Sequence, residues 1–225
     1  MKTCKRLLPA FLLLLAVCLC LFSCGKEKIV PADEAEVKAA AQRLIEESKD
    51  WCDLFFRAGG VPVKEGGKEK GVYREVDAEA LSQRGFVRIS DLKSYEKRVF
   101  SPSMCDAMDR VLFSGYVDSE TGLGWIAALI EDTRLDYSTG EGKKVFDGLY
   151  VCPDSLPLIR GDEAVYDFRT AEIRTNRGDR VSLNVTVNGV GESEGKTTVT
   201  TLDLIKIDGV WYLDNYPAVR FPTEE

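Results

Sequence analysis

Between residues 180 and 188 the side chains alternate without a break. Val181, Leu183, Val185 and Val187 fall on one side, and Ser182, Asn184, Thr186 and Asn188 on the other. Only extended backbone puts every second residue on one face, so this is a strand with one side in a core and one toward water. A half-buried strand of this kind belongs to an antiparallel sheet, and its neighbours are legible on both sides. Segment 164–175 precedes it across the turn Asn176-Arg177-Gly178-Asp179. Segment 196–207 follows, and Asp208-Gly209, a favoured two-residue hairpin turn, leads into 210–214. Segment 217–221 is expected to close this antiparallel run.

The first half of the chain is helical in character. Over 33–56, Val37, Ala40, Ala41, Leu44, Ile45, Trp51, Leu54 and Phe55 recur at three- and four-residue steps, with charged residues between them. Acids crowd the first turn, where the helix dipole favours them. Residues 59–71 read as a Gly- and Lys-rich connecting loop. Short strands are expected at 71–76 and 85–89. Ser90 or Asp91 is then expected to cap a helix through Val99 that keeps its Glu and Lys residues on the exposed side. Ser101-Pro102 supplies a cap followed by proline at the first helical position, opening a third helix over 104–112. Residues 114–124 are rich in turn formers, 125–130 is an apolar run of open type, and 146–152 reads as a strand stopped by Pro153. The expected class is therefore α+β, with a long N-terminal helix and two shorter helices packed on a curved antiparallel sheet, in one domain over 33–225.

Residues 1–23 differ from the rest. Lys2, Lys5 and Arg6 come first, an almost wholly apolar stretch of about 16 residues follows, and small residues end it, which is the pattern of a secretory signal peptide. A membrane-spanning helix needs about 20 apolar residues. The sequence Leu21-Phe22-Ser23-Cys24-Gly25 resembles the lipobox of bacterial lipoproteins. That resemblance implies cleavage before Cys24, a diacylglycerol on its thiol, further acylation of the new N-terminus with chains such as palmitate, and a short lipidated tether over 24–32. The chain is then expected on the extracytoplasmic side of a membrane, held by membrane lipid through acylated Cys24. Three basic residues and no acid leave with the signal. The remainder carries 27 Lys and Arg against 37 Asp and Glu, a net charge of −10. Such a body is not drawn to nucleic acid.

The chemistry available is narrow. There is no histidine, which removes Ser-His-Asp and Cys-His catalysis and histidine metal sites. No cofactor, metal or catalytic residue is expected, and the chain is read as a non-enzyme. A carboxylate enzyme would need two buried acids, or a Lys and an acid, converging in a pocket. Residues 191–197 (GESEGKT) fall one residue short of a phosphate-binding loop and lie between strands, so they read as a hairpin loop. Residues 118–122 start like a calcium loop but lack its glycine and its final glutamate. Glu131 and Asp132 are adjacent in a strand and so point to opposite faces. Cys52, Cys105 and Cys152 are an odd number after processing; their pairing stays open, with buried free thiols as the default.

The segment Leu204-Ile205-Lys206-Ile207-Asp208-Gly209-Val210-Trp211-Tyr212-Leu213 resembles the closing hairpin of NTF2-like cone domains. The whole order resembles IseA-type inhibitors of cell-wall D,L-endopeptidases, on the first helix, Gly71-Val72-Tyr73-Arg74, the helical pair over 92–108, Gly148-Leu149-Tyr150-Val151 and the final strands. The resemblance implies a membrane-anchored, non-catalytic protein-binding module that docks on an envelope protein such as a peptidoglycan hydrolase. The alternative is binding of a small molecule or cell-wall fragment inside the cone, where Tyr166, Phe168, Trp211, Tyr212 and Tyr216 would gather.

Overall fold

The computed structural model describes residues 29–55, 60–117, 124–138, 140, 142–153 and 161–221. The signal segment, Cys24 and the calcium-like stretch lie outside them. Contacts divide the chain into Met1–Val30 and Pro31–Glu225, and the second unit holds every element below.

Helix α1 (Glu34–Phe55) starts where the Asp33 carboxylate accepts the N–H of Glu36 at 2.8 Å. Its buried stripe is Val37, Ala40, Ala41, Leu44, Trp51, Leu54 and Phe55, set by the 3.6-residue period. Strands β1 (Glu69–Lys70) and β2 (Tyr73–Glu75) form a tight hairpin, so residues 69–75 are paired structure where the sequence suggested a loop and then a strand. Helix α2 (Ala78–Ser82) was not anticipated; Asp77 caps it by accepting the N–H groups of Glu79 and Ala80.

The strand expected at 85–89 is absent. The Asp91 carboxylate accepts the N–H groups of Val87 and Arg88, turning those residues into the N-terminal lead of α3 (Ile89–Val99). Asp91 thus acts from the third helical position, with Arg88 at the cap. Helix α4 (Pro102–Asp109) opens as expected, with Ser101 accepting the N–H of Met104 at 3.3 Å and proline in the first turn. It runs into one π-helical turn, Arg110–Ser114.

The strands divide between two four-stranded antiparallel sheets, so the single curved sheet expected from sequence is replaced by a pair. The first sheet has the order β1-β2-β6-β5, where β5 is Leu129–Asp136 and β6 is Lys143–Val151. Strands β3 (Tyr116–Val117) and β4 (Gly124–Trp125) make a separate ribbon. The second sheet is a meander with the order β10-β9-β8-β7, built from β7 (Ala164–Asn176), β8 (Arg180–Gly189), β9 (Thr197–Ile207) and β10 (Val210–Leu213). Segment 217–221 is irregular and adds no strand; Val219 and Phe221 are nonetheless buried, and Asp162 accepts the N–H of Phe221.

Val181 lies opposite Leu204 and Leu183 opposite Leu202, all at most 2% exposed. Burial of each such side chain contributes about 1.5–3 kcal/mol. These pairs, Trp211 and Leu213 share one core with the stripe of α1. Trp51 packs on Phe55 and Phe100, at ring distances of 4.8 and 5.3 Å. Residues 168–171 bulge out of β7 opposite the single residue Val185. Thr170 Oγ1 accepts the Thr186 N–H there, at 2.9 Å. At the last hairpin Asp208 and Gly209 have φ of 51° and 84°, a pair of left-handed residues that suits the turn to the twist of its strands.

Candidate functional site

The interior is the first place to look for a ligand site. Tyr166 stacks on Phe168 with centroids 6.2 Å apart, and its hydroxyl donates to the carbonyl of Pro217. Trp211 points the other way, its Nε1 donating to Glu36 of α1 at 2.7 Å, while Lys206 reaches the same carboxylate at 2.5 Å. Those two donors, Lys206 first, hold Glu36 below the usual carboxylate range. Tyr212 lies against an outer cleft. Tyr166, Phe168, Trp211 and Tyr216 pack into one core, and Tyr212 borders the outer cleft. The gap beside Cys52, Tyr166, Pro217 and Val219 measures about 10 Å³, at or below the room one water needs.

The other residues singled out from sequence serve the fold. Glu131 accepts from the Arg88 guanidinium at 2.6 Å and from the Ile89 N–H at 2.9 Å, and these partners hold its pKa low. Asp132 pairs with Lys70, whose ammonium lies 4.6 Å from the Tyr150 ring centroid. The two acids face different partners and make no pair. Residues 191–193 form a 3₁₀ turn between β8 and β9, which is a hairpin loop. Cys52, Cys105 and Cys152 are buried thiols. Burial pushes the Cys105 thiol up to about 12, so it is inert as a nucleophile. Among the described residues no group of three or more His, Cys, Asp or Glu could hold a metal.

One arrangement was missed. Glu96, expected on the exposed side of α3, is fully buried. Leu92, Glu96 and Val99 form the buried stripe of that helix, a spacing of four and three that could have revealed it. Its carboxyl lies within hydrogen-bonding reach of Asp109 on α4. With both acids ionised, Glu96 Oε1 and Oε2 and Asp109 Oδ1 would all lack a donor. One proton held by Glu96 eases that conflict by letting one of its oxygens donate to Asp109. Desolvation, then the charge of Asp109, pushes Glu96 up to about 8. Asp109 pairs through Oδ2 with Lys93 at 2.9 Å. Two acids and a lysine thus converge as an enzyme would require, but among the described residues none of the three lines the outer clefts below.

Among the described residues three such clefts open on the surface. Arg43 and Glu47 of α1 face Tyr95, Arg98 and Val99 of α3 across about 300 Å³. Arg177, Arg180, Asp203 and Asp214 border about 220 Å³ at one end of the second sheet. A third cleft of about 230 Å³, more apolar than these, lies between the α3–α4 junction and the β9–β10 hairpin.

Comparison with protein families finds no family model that matches the chain, and comparison with curated proteins finds no match. Among the described residues no helix is long and apolar enough to cross a membrane.

Proposed function

We propose that the chain is an extracytoplasmic lipoprotein, held at the membrane by acylated Cys24, whose domain binds another protein and performs no chemistry. The observation that carries this reading is that, among the described residues, the gap beside the core aromatic Tyr166 is small while wider clefts open outside. A cone that took small molecules or wall fragments would need a cavity of several hundred Å³, against the gap of about 10 Å³ found here. The long helix α1 laid on a bulged antiparallel meander, closed by Asp208-Gly209, supports a cone of NTF2-like kind. The resemblance to IseA-type inhibitors makes a peptidoglycan hydrolase the proposed partner, restrained by docking. A net −10 body beside a basic catalytic cleft is a physically sound pairing.

The test uses the mature domain as bait in a detergent extract of its own cell envelope, with an acidic control protein of matched charge. Specific recovery of a peptidoglycan hydrolase, and loss of its activity on adding the domain, is the expected result. Recovery equal to the control overturns it. In parallel, Cys24→Ala should abolish lipid labelling and membrane retention; continued labelling would sink the Cys24 assignment.

A further inference from the structure

We infer that the cleft between the α3–α4 junction and the closing hairpin is an anchor site. It takes one large apolar side chain of a partner segment that carries an acid on one flank of the anchor and a base on the other. The inference rests on the reading of the domain as a protein-binding module.

The walls are fixed by the backbone. Phe100, between α3 and α4, bridges Leu213 of β10 in parallel, and the Ser101 N–H donates to the Leu213 carbonyl at 2.8 Å. The Ser101 hydroxyl donates to Asp214 at 2.5 Å. The helix junction and the hairpin are thereby held at a set separation, and the cleft is present without a partner. Its lining is mostly apolar: Phe100, Pro102 and Cys105 from the helices, Ile207 and Tyr212 from the hairpin. Cys105 lies in the floor with its thiol donating to the Phe100 carbonyl. Val210, opposite Ile207 in register and 46% exposed, extends the apolar surface outward.

The size selects the ligand. A cavity of about 150 Å³ holds a benzene ring, and drug-sized ligands occupy about 300–1,000 Å³. At about 230 Å³ the cleft suits one aromatic or large aliphatic side chain, the usual anchor of a protein interface.

The charges at the rim select what flanks the anchor. Lys97 and Asp106 both line the cleft and are exposed. Among the described residues neither makes an ion pair or a side-chain hydrogen bond. On the same two helices Lys93 and Asp109 are matched to each other at 2.9 Å. An apolar floor with unmatched charges of both signs at its rim complements a segment of acid, apolar and basic residues. A plain hydrocarbon chain would leave both charges unanswered.

The test is an array of nine-residue peptides on a Gly-Ser background, carrying Phe with Asp and Lys on its two sides in both orders. The controls place Ser at the flanks or Ala at the anchor, and the whole mature domain is the probe. One charge order should retain about tenfold more domain than the controls, a difference of about 1.4 kcal/mol. The K97E/D106K double variant, changed only at exposed positions, should prefer the opposite order. Ile207→Arg should abolish retention, with its urea midpoint confirming that it folds. Equal retention of the charged and control peptides, or an order unchanged by K97E/D106K, overturns the inference. Recovery of an envelope protein undiminished by Ile207→Arg would place docking elsewhere, refuting this site while leaving the binding reading intact. Loss of envelope recovery in the wild type alone would refute the broader reading.

Discussion

Replacing Glu96 by glutamine should stabilise the domain at neutral and alkaline pH while leaving it nearly unchanged near pH 5. The native carboxyl is pushed up to about 8 from an ordinary 4.5, so the folded state holds a proton that the unfolded state releases. Its contribution is favourable below about pH 4.5 and is lost as pH rises toward 8. The cost is about 1.4 kcal/mol per pH unit across most of that window, or about 3–4 kcal/mol between pH 5 and pH 8. The Glu96→Gln side chain would keep a neutral group of the same shape whose amide N–H can donate to Asp109, without the titration. Two features keep the signal clean. The chain has no histidine to titrate in the same window. The acids held low by partners, such as Glu131 through Arg88 and Glu75 through the Lys68 N–H and Lys64, act in the opposite sense and lower down. Their support is present above about pH 4.5 and lost as pH falls. Wild-type stability should therefore peak near pH 5. Urea midpoints followed by tryptophan fluorescence at pH 5, 6, 7 and 8 measure this directly, since Trp51 and Trp211 are both buried. Parallel curves for the two proteins, with no widening gap as pH rises, would refute a buried protonated Glu96.

Other substitutions probe separate parts of the structure. Leu183→Ala removes a fully buried side chain from the centre of the second sheet and should cost about 3 kcal/mol in urea unfolding. Gly189→Ala would place a methyl group 2.0 Å from the Ser193 carbonyl oxygen; a melting temperature lowered by several degrees is expected, and an unchanged one would contradict the tight β8–β9 connection. Ser101→Ala deletes the cap of α4 and a donor to Asp214, with an expected loss of about 1–2 kcal/mol. In the native protein Cys105 should stay unreactive to a thiol reagent at pH 8 and become reactive in urea, because its thiol is buried and pushed up to about 12.

The parts of the fold legible in sequence were those written by one local rule. Alternation at 180–188 placed Val181, Leu183, Val185 and Val187 on the buried face, and the structure buries all four. Ser101-Pro102 fixed the start of α4, and Asp208-Gly209 fixed the last turn. What stayed hidden depends on distant partners. Tyr73–Glu75 finds its place by pairing with residues 150 and 151, some 75 positions away, and periodicity says nothing about which strand completes a ladder. The division into two sheets follows from such pairings. At 85–89 the apolar pattern suggested a strand, but a nearby carboxylate captured two backbone N–H groups and turned the segment into a helix start. Glu96 was misplaced for a different reason: a charged residue on a buried stripe was assigned by its chemistry, when its spacing to Leu92 and Val99 was the better guide.

That misplaced acid also bears on the choice between catalysis and binding. An acid–base enzyme needs its perturbed carboxyl where substrate arrives. Here the carboxyl raised to about 8 has no exposed surface, lines none of the outer clefts and directs its proton at Asp109. The charges that do meet an open cleft at the α3–α4 junction, Lys97 and Asp106, stand at the rim of an apolar floor. Perturbation and access are thus separated on the same two helices. Glu96 faces inward, while Lys97 and Asp106 border the cleft outside. A carboxyl sealed as Glu96 is cannot meet a substrate at this cleft, whereas the apolar floor and charged rim are what a docked segment would meet.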